Sequence, residues 1–180
     1  MTRLNALSPD EVSGKTKEMF NAIHSKLGVI PNMMRTMGNS PALLEGYLSF
    51  SGALGSGKLG GKTGELIALI VAESNACNYC LSAHTFLGTN LVKIDAETMN
   101  EARLGNSKDP KINAILKFAQ TLVQKRGHAS DSDVETVKAA GVTDAEVAEI
   151  VGHVALNILT NYFNNTANTN IDFPLVEVNQ

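Results

Sequence analysis

Apolar positions recur at helical spacing along most of the chain. Val12, Met19, Phe20, Ile23 and Leu27 form the first stripe. Ser8-Pro9-Asp10-Glu11 precedes it as a capping box with proline at the first helical position, and Gly28 closes it. Val29 to Asn32 reads as a short extended link, with Pro31 opening a short helix through Met37 that Gly38-Asn39 ends. Ser40-Pro41 repeats the start signal, and Leu43, Leu44, Tyr47, Leu48 and Leu54 make the next stripe. Gly55-Ser56-Gly57 breaks that helix and Gly60-Gly61 forms a flexible joint.

From about Lys62 to Asn75 the pattern changes: apolar residues surround the helix instead of striping it, as in a helix buried in a core or an oligomer interface. A helix from about Asn78 to Leu87 follows, broken at Gly88-Thr89-Asn90. Asp95 caps a short helix to about Leu104. Asp109-Pro110 starts one with Ile112, Ile115, Leu116, Phe118, Ala119 and Leu122 as its apolar face and Gly127 as its stop. Ser130 to Ala140 is short and polar, and Gly141 ends it. Thr143 to Glu146 is a further capping box, opening a long helix through Val147, Ile150, Val151, Val154, Ala155 and Ile158. The asparagines from Asn161 to Asn165 fit a polar patch near a site or a fraying helix end, and the fraying end is the preferred reading. Ile171 to Gln180 contains a proline and no helical pattern, as expected of an extended arm over a neighbouring subunit. No segment reads as a strand. The expectation is an all-α chain forming a single domain over residues 1–180.

Composition narrows the partners. With 15 Lys+Arg against 18 Asp+Glu, the net charge is −3 and the signs are interspersed, so no basic cluster suggests nucleic acid or a membrane surface. No apolar run is long enough to span a bilayer, and the first residues lack the apolar core of a signal peptide. A cytoplasmic protein is expected. In that compartment a lone C-x-x-C is more often catalytic or metal-binding than a structural disulfide.

The chemistry concentrates between Glu65 and His84. Cys77 and Cys80 are the only cysteines, and His84 follows four residues after the second. On a helix, Cys80 lies about 60° and His84 about 20° around the axis from Cys77, so thiol, thiol and imidazole share a face. A helix N-terminus favours a thiolate. A thiolate attacks a peroxide oxygen or a disulfide sulfur, and a sulfenic acid condenses with a neighbouring thiol. His84 could move the proton, oriented by a carboxylate for which both Glu65 and Glu73 are available. Other readings stay open at this level. The cysteines could simply pack, or Cys77, Cys80 and His84 could be three ligands of a zinc site, with His24, His128 or His153 as a fourth. His153 sits on an apolar helix face and reads as a packing or interface residue, and Tyr79 reads as a packing residue.

The order Glu65, Cys77-x-x-Cys80, His84, with the apolar helix before it and the phrase Cys-x-x-Cys-Leu-x-Ala-His, resembles the alkylhydroperoxidase D-like, or carboxymuconolactone decarboxylase, family. Pro31-Asn32, Ser40-Pro41, the helix start from Gly141 to Ile150 and Asn161-Tyr162 extend the likeness loosely. The resemblance is to the peroxidase-related branch that keeps both cysteines, and not to the decarboxylases. It implies an alkylhydroperoxidase D-like helical bundle and a thiol peroxidase. Cys80 would be peroxidatic, Cys77 would resolve its sulfenic acid into a disulfide, and Glu65 would be the base, acting through His84. Tyr79 stands where described members place a relay histidine. The implied substrate is a hydroperoxide, and the implied reductant a lipoyl- or thioredoxin-like dithiol. No cofactor or metal is implied, and the assembly would be a homo-oligomer, trimer or hexamer. A dithiol–disulfide oxidoreductase, or a redox-sensing or metal-binding scaffold without turnover, is the alternative.

Overall fold

The computed structural model describes residues 1–179. Among these the chain forms nine α-helices and no strand: α1 Gly14–Leu27, α2 Asn32–Met37, α3 Pro41–Gly55, α4 Gly60–Ser74, α5 Asn78–Asn90, α6 Ala96–Arg103, α7 Pro110–Gln124, α8 Asp131–Ala139 and α9 Asp144–Ala167.

Most helix starts follow the capping residues that announce them. The side chains of Ser40, Asp95 and Asp109 accept backbone N–H groups of the first turns of α3, α6 and α7. Ser130/Asp133 and Thr143/Glu146 close reciprocal capping boxes on α8 and α9. The exception is the first. Ser8 to Glu11 makes only a turn, closed by Glu11 N–H to Ser8 O at 3.1 Å. Gly14, at φ +56°, reverses the backbone where α1 begins, so the signal is spent on that turn.

The bundle is assembled around α4. Leu66, Ile67, Leu69, Ile70 and Val71 are at most 2 % exposed, and each contributes about 1.5–3 kcal/mol by leaving water. α4 packs on α5, α6, α7 and α9 of the same chain, so its apolar circumference is core and not an oligomer interface. Its start is held from α9: Glu149 accepts the N–H groups of Lys58 and Leu59, each at 2.9 Å. α9 runs parallel to α4, and His153 lies over Gly64, where a Cβ would come within 3.0 Å of the imidazole. That glycine lets the two helices close around a histidine.

The described part of the tail is extended as expected and lies on this chain's own α5. Val176 N–H donates to Ser82 Oγ at 2.9 Å, and Val178 N–H to Asn78 Oδ1 at 3.0 Å. Asn179 N–H reaches Glu73 at 2.6 Å, and Phe173 meets the Tyr79 ring edge-on at 5.8 Å. These polar groups on α5 and α4 give the tail's backbone local partners, which an apolar pattern could not announce.

Candidate active site

The turn between α4 and α5 sets the site. Asn75 and Ala76 leave the helix, with Ala76 in the left-handed region at φ 51°, a conformation costing an alanine about 1–2 kcal/mol. Neighbours hold it there. Cys77 N–H donates to Ala72 O at 3.0 Å. Asn75 Nδ2 donates to Asn161 Oδ1 at 3.0 Å, and Asn165 Nδ2 to Asn75 O at 3.0 Å. The turn leaves Cys77 as the N-cap of α5, its sulfur accepting Cys80 N–H at 3.3 Å. Cys77 and Cys80 are joined as a disulfide with Cα atoms 5.3 Å apart. Cys77 is fully enclosed, while Cys80 is 2 % exposed. Among the described residues, no group of three His, Cys, Asp or Glu side chains gathers where a metal could be held.

One turn beyond Cys80, His84 Nδ1 pairs with Glu65 Oε2 at 2.8 Å, each side chain about a fifth exposed. With the proton on Nδ1, the ring donates to the carboxylate and Nε2 is left as an acceptor. Two residues that the sequence reading did not place in the site face Glu65. The Tyr47 hydroxyl on α3 is pushed up to about 12, chiefly by burial and then by the Glu65 charge, with a hydrogen bond from Ser51 opposing. His153 is held below its ordinary value by burial, against the pull of Glu149 and Glu65, and its enclosed Nε2 has no partner.

Glu73, the other carboxylate on α4, is directed elsewhere. It pairs with Arg103 Nε at 2.7 Å and accepts Asn179 N–H at 2.6 Å. The Tyr79 hydroxyl is engaged by partners other than Glu65 and His84. It accepts Met33 N–H at 3.0 Å and hydrogen-bonds Asp172. Burial, with the Asp172 charge behind it, pushes the phenol up, so it keeps its proton.

The asparagines are not a fraying end. α9 stays helical to Ala167, and Asn161 and Asn164 are 0 % and 3 % exposed. Asn164 Nδ2 donates to Cys80 Sγ at 3.4 Å. Asn157, Asn161 and Asn164 continue the spacing of Ile150 and Val154, so the core-facing stripe of α9 turns polar where it passes the cysteines. That phase was the available signal.

Residues 41–91 match the carboxymuconolactone decarboxylase family. The segment runs from the start of α3 to just past α5 and holds Tyr47, Glu65, Cys77, Cys80 and His84. By it, this part of the chain is similar to that family. Solved structures extend the likeness over nearly the whole fold. A peroxidase-related protein from Silicibacter sp. TM1040 superposes with a TM-score of 0.83 at 22 % identity, covering 94 % of this chain and 91 % of that one. The alkylhydroperoxidase AhpD core of a peroxidase-related protein from Ralstonia eutropha JMP134 gives 0.85 at 21 %, covering 95 % and 92 %. A variant of the debrominase Bmp8 in complex with 2,3,4-tribromopyrrole gives 0.80 at 19 %, covering 96 % and 92 %. No curated protein matches. The fold is therefore the all-α alkylhydroperoxidase D-like bundle, and the family segment contains the cysteine pair with its glutamate and histidine.

Proposed function

We propose that the protein is a thiol peroxidase that reduces hydroperoxides through a Cys77–Cys80 disulfide. The observation behind this is the bonded cysteine pair at the start of α5, one turn from an imidazole paired to a buried-edge carboxylate. In the reduced protein, His84 Nε2 takes the Cys80 proton while Glu65 holds Nδ1–H and stabilises the imidazolium. The Cys80 thiolate attacks the terminal peroxide oxygen, the S–O bond forms as the O–O bond breaks, and the alkoxide leaves with the proton from His84. Cys77, its sulfur at the helix N-terminus, attacks the sulfenic sulfur, and hydroxide leaves as water. A dithiol of the lipoyl or thioredoxin-like class reduces the bridge by exchange.

The apolar helix α4 that suggested assembly is buried by this chain itself, and the tail lies along this chain's own α5. The outer face of α9 still exposes Val151, Leu159 and Tyr162, and a homo-oligomer, trimer or hexamer, is part of the proposal. Light scattering would test it. No helix is long and apolar enough to cross a membrane, and a cytoplasmic location goes with the same reading.

The test is turnover of cumene hydroperoxide with dihydrolipoamide supplied. Cys80→Ser should abolish consumption, and Cys77→Ser should stop after one event with a sulfenic acid on Cys80. Full activity in Cys80→Ser would reverse the roles. Disulfide reduction without peroxide turnover would make the protein a dithiol–disulfide oxidoreductase.

A further inference from the structure

Three of the polar side-chain atoms enclosed without a hydrogen-bond partner belong to α9: His153 Nε2, Asn161 Nδ2 and Asn164 Oδ1. Enclosed polar atoms are ordinarily paired. A standing exception beside a redox centre points to a partner that exists in another state of that centre. Asn164 is the one of the three that touches sulfur, through Nδ2 to Cys80 Sγ at 3.4 Å. Its amide is 3 % exposed, and Oδ1 is attached to the same carbon as Nδ2, so an oxygen bound to Cys80 Sγ falls within its reach.

We propose that Asn164 is the hydrogen-bond partner of Cys80 through its redox cycle: Nδ2–H stabilises the thiolate, and Oδ1 accepts the O–H of the sulfenic acid. The inference rests on the thiol-peroxidase reading for its second half only. Thiolate attack on R–O–O–H transfers the terminal OH to sulfur. Sulfur loses two electrons, the O–O bond takes them, and RO⁻ leaves as the alcohol with the proton held by His84. The new S–O–H keeps the peroxide's own hydrogen, and that hydrogen is what Oδ1 receives. When Cys77 attacks, the S–O bond breaks and water departs with it. Oδ1 is then left bare, as it is in the disulfide form seen here. An amide fits both roles because it offers a donor and an acceptor without changing charge.

The titratable groups on the elements around Cys80 include Tyr47 on α3, Glu65 and Glu73 on α4, Tyr79 and His84 on α5 and Glu149 and His153 on α9. Glu73 is tied to Arg103, and Tyr79 to Met33 and Asp172. Glu149 is tied to the N–H groups of Lys58 and Leu59, which leaves the Glu65–His84 pair, with Tyr47 and His153 beside Glu65, to set the thiol's charge together with Asn164.

The experiment uses the full chain with Cys77→Ser, so that Cys80 is the single thiol. Thiolate absorbance at 240 nm is followed against pH, and the sulfenic acid formed by one equivalent of cumene hydroperoxide is timed by dimedone trapping. Asn164→Leu should raise the Cys80 thiol pKa by about one unit, leaving about tenfold less thiolate at neutral pH, and should shorten the sulfenic lifetime. Asn164→Asp, of the same shape but negatively charged, should raise the pKa further, and it decides the matter if the leucine variant does not fold. A folded variant with unchanged pKa and lifetime, in a protein that turns over peroxide, overturns the inference alone. A shifted pKa in a protein that forms no sulfenic acid overturns the peroxidase reading and the Oδ1 role, and leaves the thiolate role standing.

Discussion

Helix α4 carries two carboxylates two turns apart, and the fold treats them in opposite ways. Glu73 faces a guanidinium and a backbone amide, at 2.7 and 2.6 Å. Arginine does not give up its proton in a protein, so this pair holds a constant charge and fastens the tail and α6 to the core. Glu65 faces an imidazole at 2.8 Å, with a phenol and a second histidine nearby. Those partners can exchange protons. The partner's acid–base chemistry, more than burial or depth in the helix, separates a structural carboxylate from one fitted for proton transfer.

The sharpest way to break this contrast is to neutralise each carboxylate in turn. Glu65→Gln should lower the rate of Cys80 oxidation at neutral pH by about 10²-fold, the scale of a lost acid–base partner, with little change in melting temperature. Equal rates in the two proteins, read by stopped flow, would remove Glu65 from the chemistry. Glu73→Gln should do the reverse, leaving the oxidation rate nearly unchanged and lowering stability by about 2 kcal/mol, because Arg103 loses its partner in a mostly buried setting. Urea unfolding measures it, and a rate loss without a stability loss would invert the assignment.

A finer effect separates His153 from His84. Burial depresses His153 from 6.5 in the folded chain, so below that value the unfolded chain binds more protons. The contribution of neutral His153 is complete above about pH 6.5 and is lost as the pH falls beneath it. His153→Leu should flatten the stability-against-pH curve between pH 7 and 5, read from urea midpoints, and an unchanged slope would mean that the ring titrates freely. The smallest effect is remote from the site. Glu146, held down to about 2 by Lys111 and the Thr143 capping box, stabilises above about 4.5 and loses that contribution as the pH falls toward 2. Glu146→Ala should cost about 1 kcal/mol at neutral pH and leave thiol oxidation untouched.

The helices were legible because their caps and stripes are local. The Thr143–Glu146 box and the apolar sleeve of α4 say what they are within one or two turns. The site was legible where its residues share a helix, as Cys77, Cys80 and His84 do. Spacing alone could not choose between Glu65 and Glu73, since the choice is made by Arg103 thirty residues away and by the tail. Asn164 was misread for a related reason. Asparagine is a weak helix former, so a cluster near a helix end suggests fraying, while its partner Cys80 lies 84 positions earlier. Tyr79 was assigned by its place between the cysteines, but its hydroxyl is claimed by Met33 and Asp172. Tyr47, hidden among the leucines of α3, is the tyrosine that comes under the influence of Glu65.

The most direct measurement counts free thiols by stopped flow after one equivalent of cumene hydroperoxide is added to the reduced protein. Fast loss of two thiols per chain is expected, with mass spectrometry finding the Cys77–Cys80 bridge. Retention of both thiols on that timescale would contradict the peroxidase reading.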